Sequence, residues 1–373
     1  MINLKKVGLT ALAGSLAAVT AQAGELTVTG SANVTLKNGG AVHTVNAIGT
    51  DKDVKFSGSG ELDNGWSFAI HTLTKDDIGT VSSTATVITM GSMGSIGFGT
   101  GGGTNINGAY DETYPRAYEE TSDAGGQSAS NHIGNWADDN AIVYNAPAME
   151  MMGATINMGL EYSLQAGTAT GSDGSGAARS DTYGSGTGLG VTVAYEGLTL
   201  GAYGAERDNK NPTVVDDVYD EFNGSWFVNY NFGPVSVGYQ ETYFDAGLTH
   251  QTNDLTTTEA KSVGLSGGIF SGEAMSIAFN VNDNLSISYA EVEDTYDAQG
   301  NTGTASDGVD DVVMKTESLQ VAYSMGSMSI KAYSTETSLP QSIDPASSKR
   351  LITLAVLFDL TFFLLFDPPS LGH

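Results

Sequence analysis

The chain has 373 residues, with 43 acidic and 15 basic side chains and a formal net charge of −28. Such an acidic protein is poorly suited to bind nucleic acid, whose phosphates attract positive charge. Because the chain has no cysteine, it cannot form a disulfide framework, a thiolate metal site or a cysteine nucleophile.

Residues 1–23 predict a secretory signal peptide. Lys5 and Lys6 precede a short apolar run, and the small residues of a cleavage site follow at Ala21-Gln22-Ala23. The apolar run is shorter than the roughly 20 residues that a membrane-spanning helix needs. We therefore expect the mature protein to begin at Gly24.

From Gly24 onward, apolar and polar residues alternate in segments separated by turn-forming residues. In the clearest segment, Ala154 to Gln165, every second residue is apolar or aromatic. This period of two predicts β-strands with one apolar and one polar face. Tight turns such as Asp63-Asn64-Gly65 alternate along the chain with long acidic or glycine-rich connections.

This rhythm predicts an all-β fold, a transmembrane antiparallel β-barrel of about 16 strands with short periplasmic turns and long extracellular loops. Aromatic residues near the turns, such as Trp66, Tyr195 and Tyr230, are typical of the girdle at a membrane surface. Two alternatives remain open at this point. One is a secreted soluble β-protein whose aromatics form a core, and the other is an outer-membrane barrel of another class, such as an adhesin or a barrel hydrolase.

One connection, residues 101–139, is much longer than a compact domain normally contains. It has neither a period of two nor a sustained helical period, and such segments are usually functional or disordered. Its four aromatic residues argue against disorder, which is poor in aromatics. We predict that this segment, hereafter the constriction loop, folds into the barrel and narrows it.

The charged residues of the loop and of the inward strand positions predict the pore lining. The loop supplies the predicted constriction residues, Asp111, Glu112, Arg116, Glu119, Glu120 and Asp123. Counting alternate positions along the strands predicts a lumen wall that includes Lys55, His71, Glu161, Glu196, Gln320 and Lys331. Loop carboxylates opposite wall cations would create a transverse field and a preference for cations. The alternative is that the loop charges are simply solvated.

Signals for catalysis or metal binding are weak. The pattern G-x-S-x-G occurs at residues 264–268, but no helix pattern follows it, so we interpret it as a chance match. The five histidines are scattered and lack the spacing of metal ligands. We therefore predict no catalytic residue, no metal site and no cofactor, although Ca²⁺ could bind at the acidic loops.

The signal peptide, the hairpin rhythm and the large loop after the fifth strand together resemble the trimeric general-diffusion porins of Gram-negative bacteria, in particular the alphaproteobacterial type. The resemblance covers residues 1–358. It implies an outer-membrane channel for small hydrophilic solutes and ions, inserted by the barrel-assembly machinery and surrounded by lipid. It also implies a homotrimer, with Gly94, Gly97 and Gly99 expected near the three-fold axis.

The carboxyl end departs from this family. Residues 349–358 form an expected closing strand that ends in Phe358, as in these porins. The chain continues past Phe358, and residues 351–366 as a whole are nearly all apolar and lose the period of two. We therefore divide the chain into a signal peptide (1–23), a barrel domain (24–358) and an anomalous tail (359–373).

Overall fold

A computed structural model describes residues 26–39, 48–75, 81–100, 104–118, 120–121, 133–137, 141–166, 183–210, 220–247, 269–297, 312–338 and 349–362. Within this part of the chain the helices are single 3₁₀ turns (Gly91–Met93, Asn107–Ala109 and Asn135–Ala137). None of them is long and apolar enough to cross a membrane. The predicted signal peptide, the residues after 362 and the G-x-S-x-G segment lie outside the described residues.

The strands make up most of the described chain. They are β1 (Thr27–Gly39), β2 (Ile48–Glu61), β3 (Ser67–Lys75), β4 (Val81–Thr89), β5 (Ser95–Thr100), β6 (Ala141–Asn145), β7 (Met149–Met151), β8 (Ala154–Ser163), β9 (Tyr183–Tyr195), β10 (Leu198–Asn209), β11 (Glu221–Phe232), β12 (Val235–Asp245), β13 (Ile269–Asn282), β14 (Leu285–Asp297), β15 (Val312–Met325), β16 (Met328–Ser338) and β17 (Lys349–Phe362).

The strands form one antiparallel sheet that closes on itself. Each strand pairs with its neighbours in sequence, and β1 pairs with both β2 and β17, which joins the two ends of the sheet. Because β6 and β7 both pair with β8, they are two parts of one interrupted strand. The 17 strands of the sheet therefore make a 16-stranded ring, as the sequence predicted.

The two faces of the sheet differ as the alternation predicted. Met158, Ile277 and Leu319 point outward and remain 37%, 48% and 60% exposed. At the alternate positions of the strands, which point inward, residues such as Val143 and Ser318 are buried. Large apolar side chains outside a closed ring suit contact with lipid, whereas a soluble β-sandwich would bury them between two sheets.

The tight turns explain one wrong assignment. Met152-Gly153 joins β7 to β8 and Glu196-Gly197 joins β9 to β10, and all four residues have positive φ angles of 53°, 85°, 44° and 87° in that order. Two-residue hairpins require this geometry because it matches the twist of the strands. Glu196 therefore lies exposed in a turn, and its predicted place on the lumen wall is wrong.

The closing strand is longer than expected. β17 continues from Lys349 to Phe362 and pairs with β1 along its length, with Phe362 opposite Val28. The predicted end of the barrel at Phe358 therefore falls inside a strand, and Asp359 to Phe362 belong to the barrel.

Candidate functional site: a loop held inside the barrel

The constriction loop enters the barrel directly after β5. Thr104 lies over the inward positions Gly97 and Gly99, where a Cβ atom on Gly99 would come within 2.5 Å of the Thr104 Oγ1. The loop can approach the wall here because glycine has no side chain. The side-chain positions of Gly97 and Gly99 therefore face the lumen, and the expectation that these strands lie near the three-fold axis stays a prediction.

An apolar cluster fixes both ends of the loop to the wall of β6, β10 and β11. It joins loop and wall residues that are all buried: Ile106, Tyr110, Ile133, Trp136, Ala137, Ala141, Val143, Ala166, Tyr203, Ala205 and Phe227. Tyr110 stacks on Tyr203 with ring centroids 5.4 Å apart. Burial, with a smaller effect of the Glu161 charge, raises the pKa of Tyr110 to about 12, so this phenol stays neutral.

Wall glycines create the space that these aromatic rings occupy. A Cβ atom at Gly190 would lie 2.5 Å from Cε2 of Tyr110, and one at Gly186 would lie 2.7 Å from Cζ3 of Trp136. Both distances are too short for any side chain. The glycines of β9 are therefore a binding surface for the loop and not only flexible points in a strand.

Glu161 of β8 lies beneath this cluster and is only 1% exposed. Its carboxylate accepts a hydrogen bond from the backbone N–H of Ile106 at 3.1 Å and another from the hydroxyl of Tyr203. Glu161 lies on the inward face of β8 and contacts the loop from below. It holds the loop in place and is not part of the open pore surface.

Further along, Gln240 of β12 forms hydrogen bonds with three loop residues, Tyr110, Asp111 and Thr113. Its Oε1 accepts from the N–H of Thr113 at 2.8 Å, and its Nε2 donates to the carbonyl oxygens of Tyr110 (2.7 Å) and Asp111. Beside it, Asn229 donates to the carbonyl of Thr113 at 2.8 Å. The irregular backbone of a loop inside a barrel has no neighbouring strand to pair with. The side-chain amides of Gln240 and Asn229 therefore supply the hydrogen-bond partners that its N–H and C=O groups need.

Residues 114–118 and 120–121, hereafter the arm, continue across β14 to β16. The N–H of Ala117 donates to Ser288 Oγ, and the N–H of Tyr118 donates to Gln320 Oε1, both at 2.8 Å. The ring of Tyr118 packs on Tyr333, and the Lys331 ammonium lies 5.1 Å from the centre of the Tyr118 ring. Gln320 and Lys331 thus lie on the inward face, where the sequence predicted them.

The loop carboxylates have separate roles. Glu112 is 3% exposed and accepts from the Tyr114 hydroxyl at 2.7 Å and the Thr121 N–H at 2.9 Å, so it organises the arm from inside. Arg116 pairs with Glu120 at 2.8 Å, and both are partly exposed. Burial raises the pKa of the Asp111 carboxyl. The predicted constriction residues Glu119 and Asp123 lie outside the described residues.

Two other predicted wall residues, Lys55 and His71, lie on β2 and β3. In the pairing of β2 with β3, Ser57 is opposite His71 and Lys55 is opposite Leu73, so Lys55 and His71 share one face. That face is the inward one, because Phe56 and Ile70 on the other face are exposed. The structure therefore places these predicted residues around one lumen, with the arm on β14–β16 and with Lys55 and His71 on β2 and β3.

Metal-binding clusters are not found in the described part of the chain. No group of three or more histidine or carboxylate side chains there could hold an ion. Most of the acidic loop segments that could bind Ca²⁺ lie outside it.

Sequence reasoning missed the main loop contacts, Gln240, Asn229 and Tyr203. No local signal marks Gln240, because the other inward positions of β12 are also mostly small or polar, at Ser236, Gly238 and Thr242. The need of its buried amide for a partner becomes visible only in the structure.

A closed antiparallel barrel that is apolar outside and narrowed by an internal loop is the architecture of an outer-membrane channel protein. Comparison with known families makes the assignment specific. The chain belongs to the Gram-negative porin family, whose model matches residues 8–350. It is therefore a non-enzymatic channel protein of the outer membrane.

Solved porin structures share the fold at low sequence identity. OmpF of Salmonella typhi is 11% identical with a TM-score of 0.62, and covers 90% of this chain and 98% of its own. OmpT of Vibrio cholerae in its trimer form is 14% identical with a TM-score of 0.59, covering 90% and 99%. An anion-selective porin from Comamonas acidovorans is 12% identical with a TM-score of 0.56, covering 90% and 99%. No curated protein sequence matches the chain.

Proposed function

We propose that this chain forms a water-filled channel through which small hydrophilic solutes and ions diffuse passively. The observation that carries the proposal is the position of the constriction loop. Its described hydrogen bonds reach wall side chains of β8, β11, β12, β14 and β15, so it lines one side of the barrel. A loop held against one side narrows a barrel and leaves a passage along the other.

We also propose that the channel prefers cations. The fold alone does not decide this, since a porin of the same fold is anion-selective. In this chain, Arg116 is neutralised by Glu120, and the inward Arg207 is neutralised by Glu221 at 2.5 Å. The buried carboxylates of Glu112 and Glu161 then add negative charge close to the passage. Charges in a narrow, partly dehydrated pore are screened less than on an open surface.

The wall lysines give the proposed passage an electric field across its width. Lys55 on the inward face of β2 places positive charge on the lumen wall, while Lys331 lies beside the arm on Tyr118. Opposite charges on two sides of a constriction create a transverse field that orients dipolar solutes as they pass. In this proposal the loop sets the size limit and the charges set the preference.

A homotrimer in outer-membrane lipid, inserted by the barrel-assembly machinery, completes the proposal. Support for the trimer is the similarity to OmpT in its trimer form. Sedimentation of the detergent-solubilised protein at the mass of a monomer would contradict this part of the proposal.

Recording from single channels in planar lipid bilayers tests the function directly. We expect stepwise conductance and, under a tenfold salt gradient, a reversal potential that indicates cation preference. The preference should decrease at molar salt, where the screening length is about 3 Å. A folded protein that gives no conductance would refute the channel, and an anion-selective reversal potential would refute the charge argument.

A further inference from the structure

The contacts of the constriction loop with the wall are unequal. Most wall side chains make one hydrogen bond to it, as Ser288 does with Ala117. Gln240 instead uses both the oxygen and the nitrogen of its side-chain amide to bind Tyr110, Asp111 and Thr113, and the residue is 1% exposed. The arm with its Arg116–Glu120 pair begins directly after these residues.

The orientation of the Gln240 amide follows from its partners. Its oxygen faces the N–H and hydroxyl of Thr113, at 2.8 and 3.2 Å, and its nitrogen faces the carbonyl oxygens of Tyr110 and Asp111. A reversed amide would place like groups against each other. The site therefore needs a donor and an acceptor together, which among neutral side chains of this length only glutamine supplies.

The neighbouring inward position shows that the loop is seated tightly. A Cβ atom at Gly238 would lie 2.3 Å from Cδ of Pro115 and 3.2 Å from Cα of Tyr114. The backbone at the start of the arm thus rests directly on the backbone of β12. Gln240 and Gly238 together form a seat of defined shape at the point where the arm begins.

From these contacts we infer that Gln240 is the positioning residue of the constriction, which fixes where the arm projects into the passage and so sets the width of the pore. This inference rests on the proposed channel function. Without the donor at Nε2, the carbonyl oxygens of Tyr110 and Asp111 lose their buried partner, and the arm separates from β12.

The chain offers a matched pair of variants to test this. Gln240→Glu replaces the required donor by a carboxylate oxygen that repels two carbonyl groups. Gln320→Glu adds the same charge to the same lumen, but Gln320 uses its oxygen to accept from the Tyr118 N–H, and a carboxylate can do this equally well. Its nitrogen donates to Ser318 Oγ at 3.1 Å, and that hydroxyl can turn to donate instead.

Two readouts separate positioning from charge. In bilayers, Gln240→Glu should raise single-channel conductance and open-channel noise, whereas Gln320→Glu should change only ion preference. In the folded barrel, trypsin should cut after Arg116, the only lysine or arginine within 101–139, in Gln240→Glu but not in wild type or Gln320→Glu. The protease readout does not depend on conduction, so a folded but silent wild type would refute the channel without deciding this inference.

A second pair guards against misfolding of the charged variant. Gly238→Ala adds no charge but places a methyl group under the arm, 2.3 Å from both Cδ of Pro115 and Oδ1 of Asn229. Gly204→Ala on β10 is its control, since a Cβ atom there would meet nothing closer than 3.8 Å. We expect Gly238→Ala to behave as Gln240→Glu and Gly204→Ala to behave as wild type.

Three results would overturn the inference. The first is equal conductance and equal trypsin resistance in Gln240→Glu and Gln320→Glu. The second is normal conductance in Gly238→Ala. The third is loss of the heat-modifiable folded form in both Gln240→Glu and Gly238→Ala while both controls fold, because the residue would then serve barrel folding and not loop position.

Discussion

The buried carboxylate of Glu161 allows a quantitative prediction about how the loop is held. In Glu161→Ala, the Ile106 N–H and the Tyr203 hydroxyl lose a buried acceptor. Each buried polar group without a partner costs about 1–3 kcal/mol, so the variant should lose about 2–6 kcal/mol of unfolding free energy. In Glu161→Gln the amide oxygen still accepts one of these bonds and the Tyr203 hydroxyl can accept from the amide nitrogen. Because Glu161→Gln loses only the additional strength of hydrogen bonds to a charged group, it should cost about 1–2 kcal/mol of unfolding free energy.

The assay is urea-induced unfolding in lipid vesicles or detergent, with single-channel recording of the same preparations. Glu150→Ala is the control, because Glu150 is exposed at the β7–β8 turn and accepts from Thr155 Oγ1 at 2.7 Å. Surface changes of this kind stay within about 0.5 kcal/mol. We expect stability to fall in the order wild type, Glu161→Gln, Glu161→Ala, and channel noise to rise in the same order. If Glu161→Ala is as stable as Glu150→Ala, the carboxylate does not hold the loop.

Three further predictions test the faces of the barrel, the packing of the loop and its response to pH. Met158→Arg on the outward face should cost about 2–4 kcal/mol in bilayer insertion, whereas Asn157→Arg on the lumen face should insert normally; the reverse result would mean that the faces are exchanged. Gly190→Ala should destabilise the folded protein by about 1–3 kcal/mol through overpacking against Tyr110, and unchanged urea stability would contradict the packing. Because burial raises the pKa of Asp111 above its usual 3.8, this group favours the folded state below that value and loses the contribution as pH rises through the raised pKa. The unfolding free energy should therefore fall with rising pH in wild type more than in Asp111→Asn, and equal slopes would exclude this role.

Alternation along the strands was sufficient to predict the barrel and the faces of its residues. Glu161, Gln320 and Lys331 lie inward because a period of two persists as long as a strand is regular. The prediction for Glu196 is wrong because a two-residue turn interrupts the alternation of inward and outward positions. The continuation of β17 past Phe358 was also missed, since pairing with β1 uses backbone hydrogen bonds and needs no alternation of side chains.

The contacts of the loop could not be read from the sequence, for a different reason. Gln240 binds residues 127 to 130 positions away, and no local pattern encodes such a distance. Glu112 looked like one member of an acidic run, yet its contacts with Tyr114 and Thr121 make it the interior of a small folded unit. The loop was predicted as a pore element from its length and aromatics, while the role of each charge depended on three-dimensional packing.

The pairing of β1 with β17 has a consequence for the order of assembly. These strands hold the two ends of the ring, and until they meet, each presents an unpaired edge that a bilayer does not tolerate. The constriction loop follows β5, yet its arm contacts β14, β15 and β16, which are synthesised much later. The loop therefore cannot be seated until nearly the whole chain is present. Insertion and closure must then be close to a single event, in which the last strands complete the outer wall and the inner constriction together.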